Sequence, residues 1–271
     1  MTTHPDYEYS GLMAEFWDLL RGDTSRWADR FFYLDVIARI GQPVLDVGCG
    51  TGRLLLDYLQ QGIDVDGIDN SPDMLALLQQ KAAALGLHPR AELQTMETLA
   101  LPRRYRVILV PSSSFQLLTD PADAAEALHR FYAHLEPGGV LVMSLYLLGL
   151  DEQGQPVPSD EGTQEVIRSA DGALIRRWSR STFDHINQLE DTEDRYEVII
   201  AGQIVAVEER QRARATRGYT QQQAVALLQA AGFSDVHLTS GFSFAPAQPD
   251  DTLFCIFGSR PPAVFQQQQN F

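Results

Sequence analysis

Residues 43–53, PVLDVGCGTGR, constrain the fold of this chain more than any other stretch. Val44, Leu45, Asp46 and Val47 read as a short buried strand, Gly48, Gly50 and Gly52 follow at once, and Leu54, Leu55, Leu56, Tyr58 and Leu59 open a helical apolar run. A strand that turns through glycines into a helix brings bare backbone close to a ligand lying over the turn. The first turn of that helix adds unpaired N–H groups and a positive dipole end, which makes the stretch a nucleotide-type cradle. A dinucleotide fingerprint G-x-G-x-x-G would need glycine at position 53, where Arg53 stands. Asp69 closes the next apolar run, 21 residues after Gly48, and a carboxylate there can accept both hydroxyls of a ribose, a spacing that suits NAD enzymes equally.

Around this cradle, short apolar runs alternate with helical patterns as far as Ser144, as a parallel sheet requires. Strands are expected at 64–68, 91–94, 107–110 and 140–144, with helices capped by Asn70 or Ser71 before Pro72 and by Asp120 before Pro121. Upstream, Met13, Phe16, Trp17 and Leu20 fall at helical spacing, and a second helix is expected from Asp23 or Thr24 through Ile37, with Phe16, Trp17 and Phe31 in the core. After Tyr146 the pattern breaks. Residues 149–162 read as a loop, then 163–170, 173–187 and 196–215 as strands, with hairpin turns at Asp171-Gly172, near 190–194 and at Ala201-Gly202. Thr220 then caps a helix that Gly232 stops, and 236–238 and 253–258 supply two last strands.

The D-x-G-x-G-x-G pattern of Asp46, Gly48, Gly50 and Gly52, and the L-x-P-G-G turn at 135–139, resemble the class I S-adenosylmethionine (SAM) dependent methyltransferases, over about residues 33–260. The resemblance implies a doubly wound, mostly parallel seven-stranded Rossmann-like α/β sheet with an antiparallel β cap inserted after strand five. It divides the chain into an N-terminal helical lid (1–43), a SAM-binding core (44–150), a β-rich substrate cap (151–218), a C-terminal completion of the core (219–260) and a disordered tail (261–271). For the cofactor it implies Asp46, Gly48, Cys49, Gly50 and Arg53 in the loop that backs the methionine part, Asp69 on the ribose, Met96 and Glu97 toward the adenine, and Asn70 and Met74 as further contacts. Thr95 stands where the family often has Asp, so the adenine amine falls to Glu97 or to backbone. Pro111 ends strand four beside the cofactor, and Tyr7 and Tyr9 are lid contacts.

The segment after strand four, VPSSSF, lacks the N-P-P-Y acceptor set of enzymes that methylate base amines or glutamine amides, and the P-C nucleophile motif. That departure points to a more reactive N or O atom of a small molecule. Phe115 and Tyr146 follow strands four and five and are the substrate-wall candidates; Tyr146 and His185, the one histidine of the cap, are the catalytic candidates. A narrower resemblance, in the placing of the cap, is to the sugar N-methyltransferases of bacterial natural-product pathways. Two other functions stay open, a NAD-dependent oxidoreductase and a catalytically silent SAM-binding regulatory module.

A net charge of −15 opposes nucleic acid and anionic membranes, and the only local exception, Arg210, Arg212, Arg214 and Arg217, alternates as one solvated strand face would. His129 and His134 are expected on the surface, and no metal is expected. Cys49 and Cys255 are too few for a disulfide framework, and neither a leader peptide nor a run of roughly 20 apolar residues is read, so the expectation is a cytoplasmic protein, with a homodimer compatible.

Overall fold

The computed structural model describes residues 8–150 and 154–262. Two helices lead, α1 (Gly11–Arg21) and α2 (Ala28–Ile40). The core then alternates β1 (Val44–Val47), α3 (Leu55–Gln60), β2 (Val65–Asp69), α4 (Pro72–Leu85), β3 (Arg90–Leu93), β4 (Tyr105–Val110), α5 (Pro121–His134) and β5 (Leu135–Tyr146). Four long strands follow, β6 (Ser159–Ile167), β7 (Leu174–Asp184), β8 (Leu189–Ile200) and β9 (Gln203–Arg217), before α6 (Gln221–Ala230), β10 (Ser234–Ser240) and β11 (Leu253–Ser259) return to the core.

The main sheet has seven strands in the order β10-β11-β5-β4-β1-β2-β3. Val44 of β1 faces Val65 of β2 on one side and Val107 of β4 on the other, all parallel, whereas β11 runs antiparallel to both β5 and β10. Every residue of β1 and β2 is buried, because helices cover both faces and successive side chains point to opposite layers. Leu45, Ile108 and Met143 pack with Leu128 and Phe131 of α5 and Leu228 of α6. Val44, Val107 and Val142 pack with Tyr33 and Val36 of α2, Tyr58 of α3 and Leu78 of α4. Caps set the helix starts: Ser71 Oγ accepts from the Met74 amide at 3.0 Å, Asp120 Oδ1 from the Ala122 amide at 2.7 Å, and Thr220 with Gln223 forms a reciprocal box.

The inserted strands β6–β9 form a separate antiparallel meander, and α1 is sandwiched between it and the core. Met13 and Phe16 of α1 pack on Ile175 and Tyr196 of the meander, with the rings of Phe16 and Tyr196 5.6 Å apart. The same helix reaches the core through its first amide, which donates to Asp73 Oδ2 at 2.7 Å.

Several boundaries differ from the sequence reading. The second helix begins at Ala28, because Asp23 Oδ1 takes the Ser25 amide at 2.9 Å and closes a turn instead of a helix. Phe31 is 51% exposed, on the outer face of α2 under Arg30. The meander starts at Ser159, so the connecting loop is shorter than expected. Its middle turn lies at 185–188, not near 190–194: Asp184 Oδ1 accepts from the amides of both Ile186 and Asn187, and Gln188 adopts a positive φ of 55°. The acidic run 190–194 is therefore strand, with Thr192 and Asp194 buried. Tyr7 and residues 263–271 of the tail lie outside the described residues. No helix among the described residues is long and apolar enough to cross a membrane.

Candidate active site

A cavity of about 320 Å³ opens over the carboxyl ends of β1, β2, β4 and β5, and the meander roofs it. In an open parallel sheet that edge, where neighbouring connections leave to opposite faces, is where ligands bind. The floor begins at the glycine turn. Gly48 and Gly50 adopt φ of 70° and 54°, a left-handed conformation that costs L side chains steric energy. A Cβ at Gly48 would also lie 2.9 Å from Ser114 Oγ, so only glycine leaves the backbone bare there. Cys49, between them, points away: its Sγ lies against Gly67 of β2, and burial pushes its thiol up. The same turn thus exposes backbone on one side and fills the core on the other.

Asp69, at the tip of β2, joins the turn to the next helix. Its Oδ2 accepts from the Gly50 amide at 2.8 Å and its Oδ1 from the Ser71 amide at 2.9 Å. Burial raises its pKa, while these amides and Arg21 pull the other way. A carboxylate so fixed keeps a free lone pair on each oxygen for a vicinal diol. Beside it Asn70, Met74, Gln94, Thr95 and Met96 complete one end of the cavity, and the buried Asn70 Nδ2 has no partner. An orphaned donor beside a bare glycine turn and a held carboxylate is what an adenosine with an amino-acid tail would satisfy.

Tyr9, Trp17 and Arg21 close the cavity from α1 and the segment before it. Ser71 Oγ donates to the Tyr9 carbonyl, fixing that segment to the core. At the other end Ser112, Ser113 and Ser114 follow β4, the first two with φ of 55° and 57°, uncommon for residues with a Cβ. Tyr146 lies across from them. Gln116, fully buried, accepts from the Tyr146 amide at 2.9 Å and donates to the Tyr146 and Arg217 carbonyls at 3.0 and 2.9 Å, so one side chain registers β5 against the end of β9. Burial, with Glu190 close by, raises the Tyr146 phenol above its ordinary range. The roof carries Arg177, Ser181, Glu190, Thr192, Arg212 and Thr216.

Of the residues expected at the site, Tyr9, Gly48, Gly50, Asp69, Asn70, Met74, Met96 and Tyr146 line this cavity together. Asp46 lies beneath the turn, 2% exposed, where burial pushes its pKa up to about 7 against the pull of Arg53. Arg53 turns from the cavity to grip Asp29 of α2 through both terminal nitrogens, one at 3.0 Å, under the Trp27 ring. Pro111 and Glu97 are not on the cavity wall, and Phe115 is fully buried against Tyr219. His185 is in the turn between β7 and β8, off the wall, with its Nε2 2.8 Å from the Val157 carbonyl oxygen. The arginine run does not form one solvated face either: Arg212 faces the cavity and Arg217 donates to the Thr119 carbonyl. Trp17 was expected in the core and Arg212 on a solvated face, and Arg21, the three serines and the other roof residues were not among the expected site residues; only the run of serines after β4 carried a local signal.

A family described as methyltransferase domain matches residues 44–139. A dTDP-3-amino-3,6-dideoxy-alpha-D-glucopyranose N,N-dimethyltransferase of Streptomyces fradiae is 31% identical over 186 residues, 67% of this chain and 69% of that protein. Among solved structures, DesVI of Streptomyces venezuelae superposes with a TM-score of 0.69 at 23% identity, covering 94% of this chain and all of that one. A methyltransferase from Clostridium acetobutylicum superposes with 0.73 at 17% identity, covering 92% of this chain and 97% of its own.

Proposed function

Because the chain belongs to the class I SAM-dependent methyltransferases and is related to small-molecule sugar N-methyltransferases, we propose that it methylates an amine of a small molecule within the roofed cavity. The observation that carries this reading is that one cavity is floored by the glycine turn with Asp69 and roofed by Arg177, Glu190, Thr192 and Arg212. Two ligands can then meet without leaving it. The Streptomyces fradiae relative acts, by its name, on the amine of an amino sugar nucleotide, which favours nitrogen over oxygen as nucleophile.

The cofactor's residues follow from the wall. Gly48 and Gly50 give bare backbone to the methionine part, and Arg21 offers a cation for its carboxylate. Asp69 holds the ribose diol, and Asn70, Met74, Thr95 and Met96 surround the base. When bound, SAM supplies a sulfonium-activated methyl group that a nucleophile displaces in line. The protein's share is to align and to exclude water. Ser112–Ser114 and Tyr146 hold the acceptor's approach, with Gln116 fixing the backbone of Tyr146. Residues 8–40 act as a lid, since Tyr9, Trp17 and Arg21 cover the cavity. Glu190, beside Tyr146, is the group on hand to take the amine's proton, in place of the turn residue His185.

This reading includes a reducing, cytoplasmic setting, supported by two buried free thiols, and a homodimer, supported by the exposed Ile204, Val205 and Val207 of β9. Sedimentation of the purified chain tests the latter. The function itself is tested by screening small amines for S-adenosylhomocysteine (SAH) release. Release with one amine, abolished by Gly48→Val, is expected. Tight SAM binding with no release across the panel would favour a silent binding module, and tight NAD binding would overturn the cofactor.

A further inference from the structure

Buried polar atoms without a hydrogen-bond partner gather on the cavity wall: Trp17 Nε1, Asn70 Nδ2, Thr192 Oγ1, and both Nε and Nη1 of Arg212. Of these the guanidinium is the costly one, since a buried charge needs both a counter-charge and acceptors. Among the described residues, none of the acidic side chains near it bonds to it, although Asp194 keeps a buried Oδ2 without a partner and Glu190 lies on the same wall. Asp194 holds Arg177 at 2.6 Å, and Glu208 holds Arg210 at 2.6 Å and accepts the Leu12 amide at 2.8 Å. Arg212 is left with the Tyr9 ring, 6.0 Å from its guanidinium carbon, a contact that satisfies none of its N–H groups. Thr192 is its direct cross-strand neighbour, so the unpartnered hydroxyl and the unpartnered guanidinium share one rung of the roof.

A negatively charged oxygen group entering there would meet several N–H donors and one hydroxyl, all desolvated in advance. The chain's net charge of −15 repels anions overall, so a guanidinium whose buried N–H groups have no acceptor is what can seat one. We propose that Arg212, with Thr192, seats an anionic oxygen group, a carboxylate or a phosphate, carried by the acceptor, and so restricts the enzyme to acidic small-molecule amines. The assignment to an acceptor rests on the methyltransferase reading above. Glu190, one residue pair along β8 from Thr192, about 7 Å away at strand spacing, then faces the amine end of the same molecule.

The test is calorimetric titration of the full chain, with and without SAH, by acetate and by inorganic phosphate. Binding of either ion is expected, and which one binds separates carboxylate from phosphate. Arg212→Gln should weaken that binding at least tenfold and Thr192→Val by a smaller factor, with SAH affinity within twofold of the unmodified chain. Arg212→Lys, which keeps the charge, should recover part of the loss, a result that misfolding would not give. No binding of either ion, or equal binding by Arg212→Gln, would overturn the seat. A parallel loss of SAH affinity would overturn its assignment to the acceptor and give Arg212 to the cofactor's own carboxylate. Failure of SAH to bind, with Arg212-dependent ion binding intact, would keep the seat and overturn the methyltransferase reading.

Discussion

Asp69 and Asp46 are both acids next to the glycine turn, and their surroundings give them different work. Asp69 is held by two amides and keeps lone pairs toward the cavity. Asp69→Ala should weaken SAM binding by about 1.5–3 kcal/mol, the worth of a charge-assisted hydrogen bond. Calorimetry showing unchanged affinity would remove Asp69 from the ribose. Asp46 is sealed under the turn with its pKa raised to about 7. Its folded pKa exceeds the unfolded one, so its stabilising contribution is complete below about pH 4 and is lost as pH rises toward 7, because the unfolded chain ionises first. Asp46→Asn should therefore gain stability relative to the unmodified chain between pH 4 and pH 7, on the order of 4 kcal/mol. Urea unfolding at the two pH values checks this; a constant difference would mean that Asp46 is ionised in the folded state.

At the scale of elements, the glycine turn is braced by groups that never face the cavity. The Arg53–Asp29 pair, with side chains only 8% and 6% exposed, ties the turn to the start of α2. Removing one partner leaves a buried charge alone, so Arg53→Leu should cost about 3–5 kcal/mol of folding stability. A change below about 1 kcal/mol in denaturant unfolding would show the pair to be idle, as most exposed pairs are. Helix α1 has a comparable bridging role. Phe16 anchors it to the meander and its first amide anchors it to Asp73, so Tyr9 and Trp17 are carried over the cavity by contacts on both sides.

The whole molecule places one cavity between three pieces of chain: the parallel core, the meander and the leading helices. A ligand touching all three should couple them. Saturation with SAH at about a hundredfold over its Kd should add about 2.7 kcal/mol to stability. In calorimetry the gain should raise a single transition. Separate transitions, with only one of them moving, would show the meander to be energetically independent of the core.

What the sequence determined by itself was local chemistry and period. Glycines at 48, 50 and 52 after a four-residue buried strand dictate the turn, because no other residue type takes those φ values with bare backbone. The alternation of apolar runs with helical patterns dictated the parallel core, and Pro72, Pro121 and Thr220 marked three helix starts. Asp69, Asn70, Met74 and Met96 were legible because their positions follow from strand ends in that core. The roof was not. Which face of a meander strand turns inward depends on register, and moving the middle turn from 190–194 to 185–188 took His185 off the wall and put Glu190 and Thr192 on it. Arg212 reads like its neighbours in a charged, alternating run, and only the tertiary structure sets it opposite Thr192 with its Nε and Nη1 buried and without a partner. Arg53 looked like a ligand contact by its place in the motif, and tertiary packing gave it Asp29 instead. The tertiary structure decided these positions because each depends on a contact between segments far apart in the chain, which no local pattern encodes.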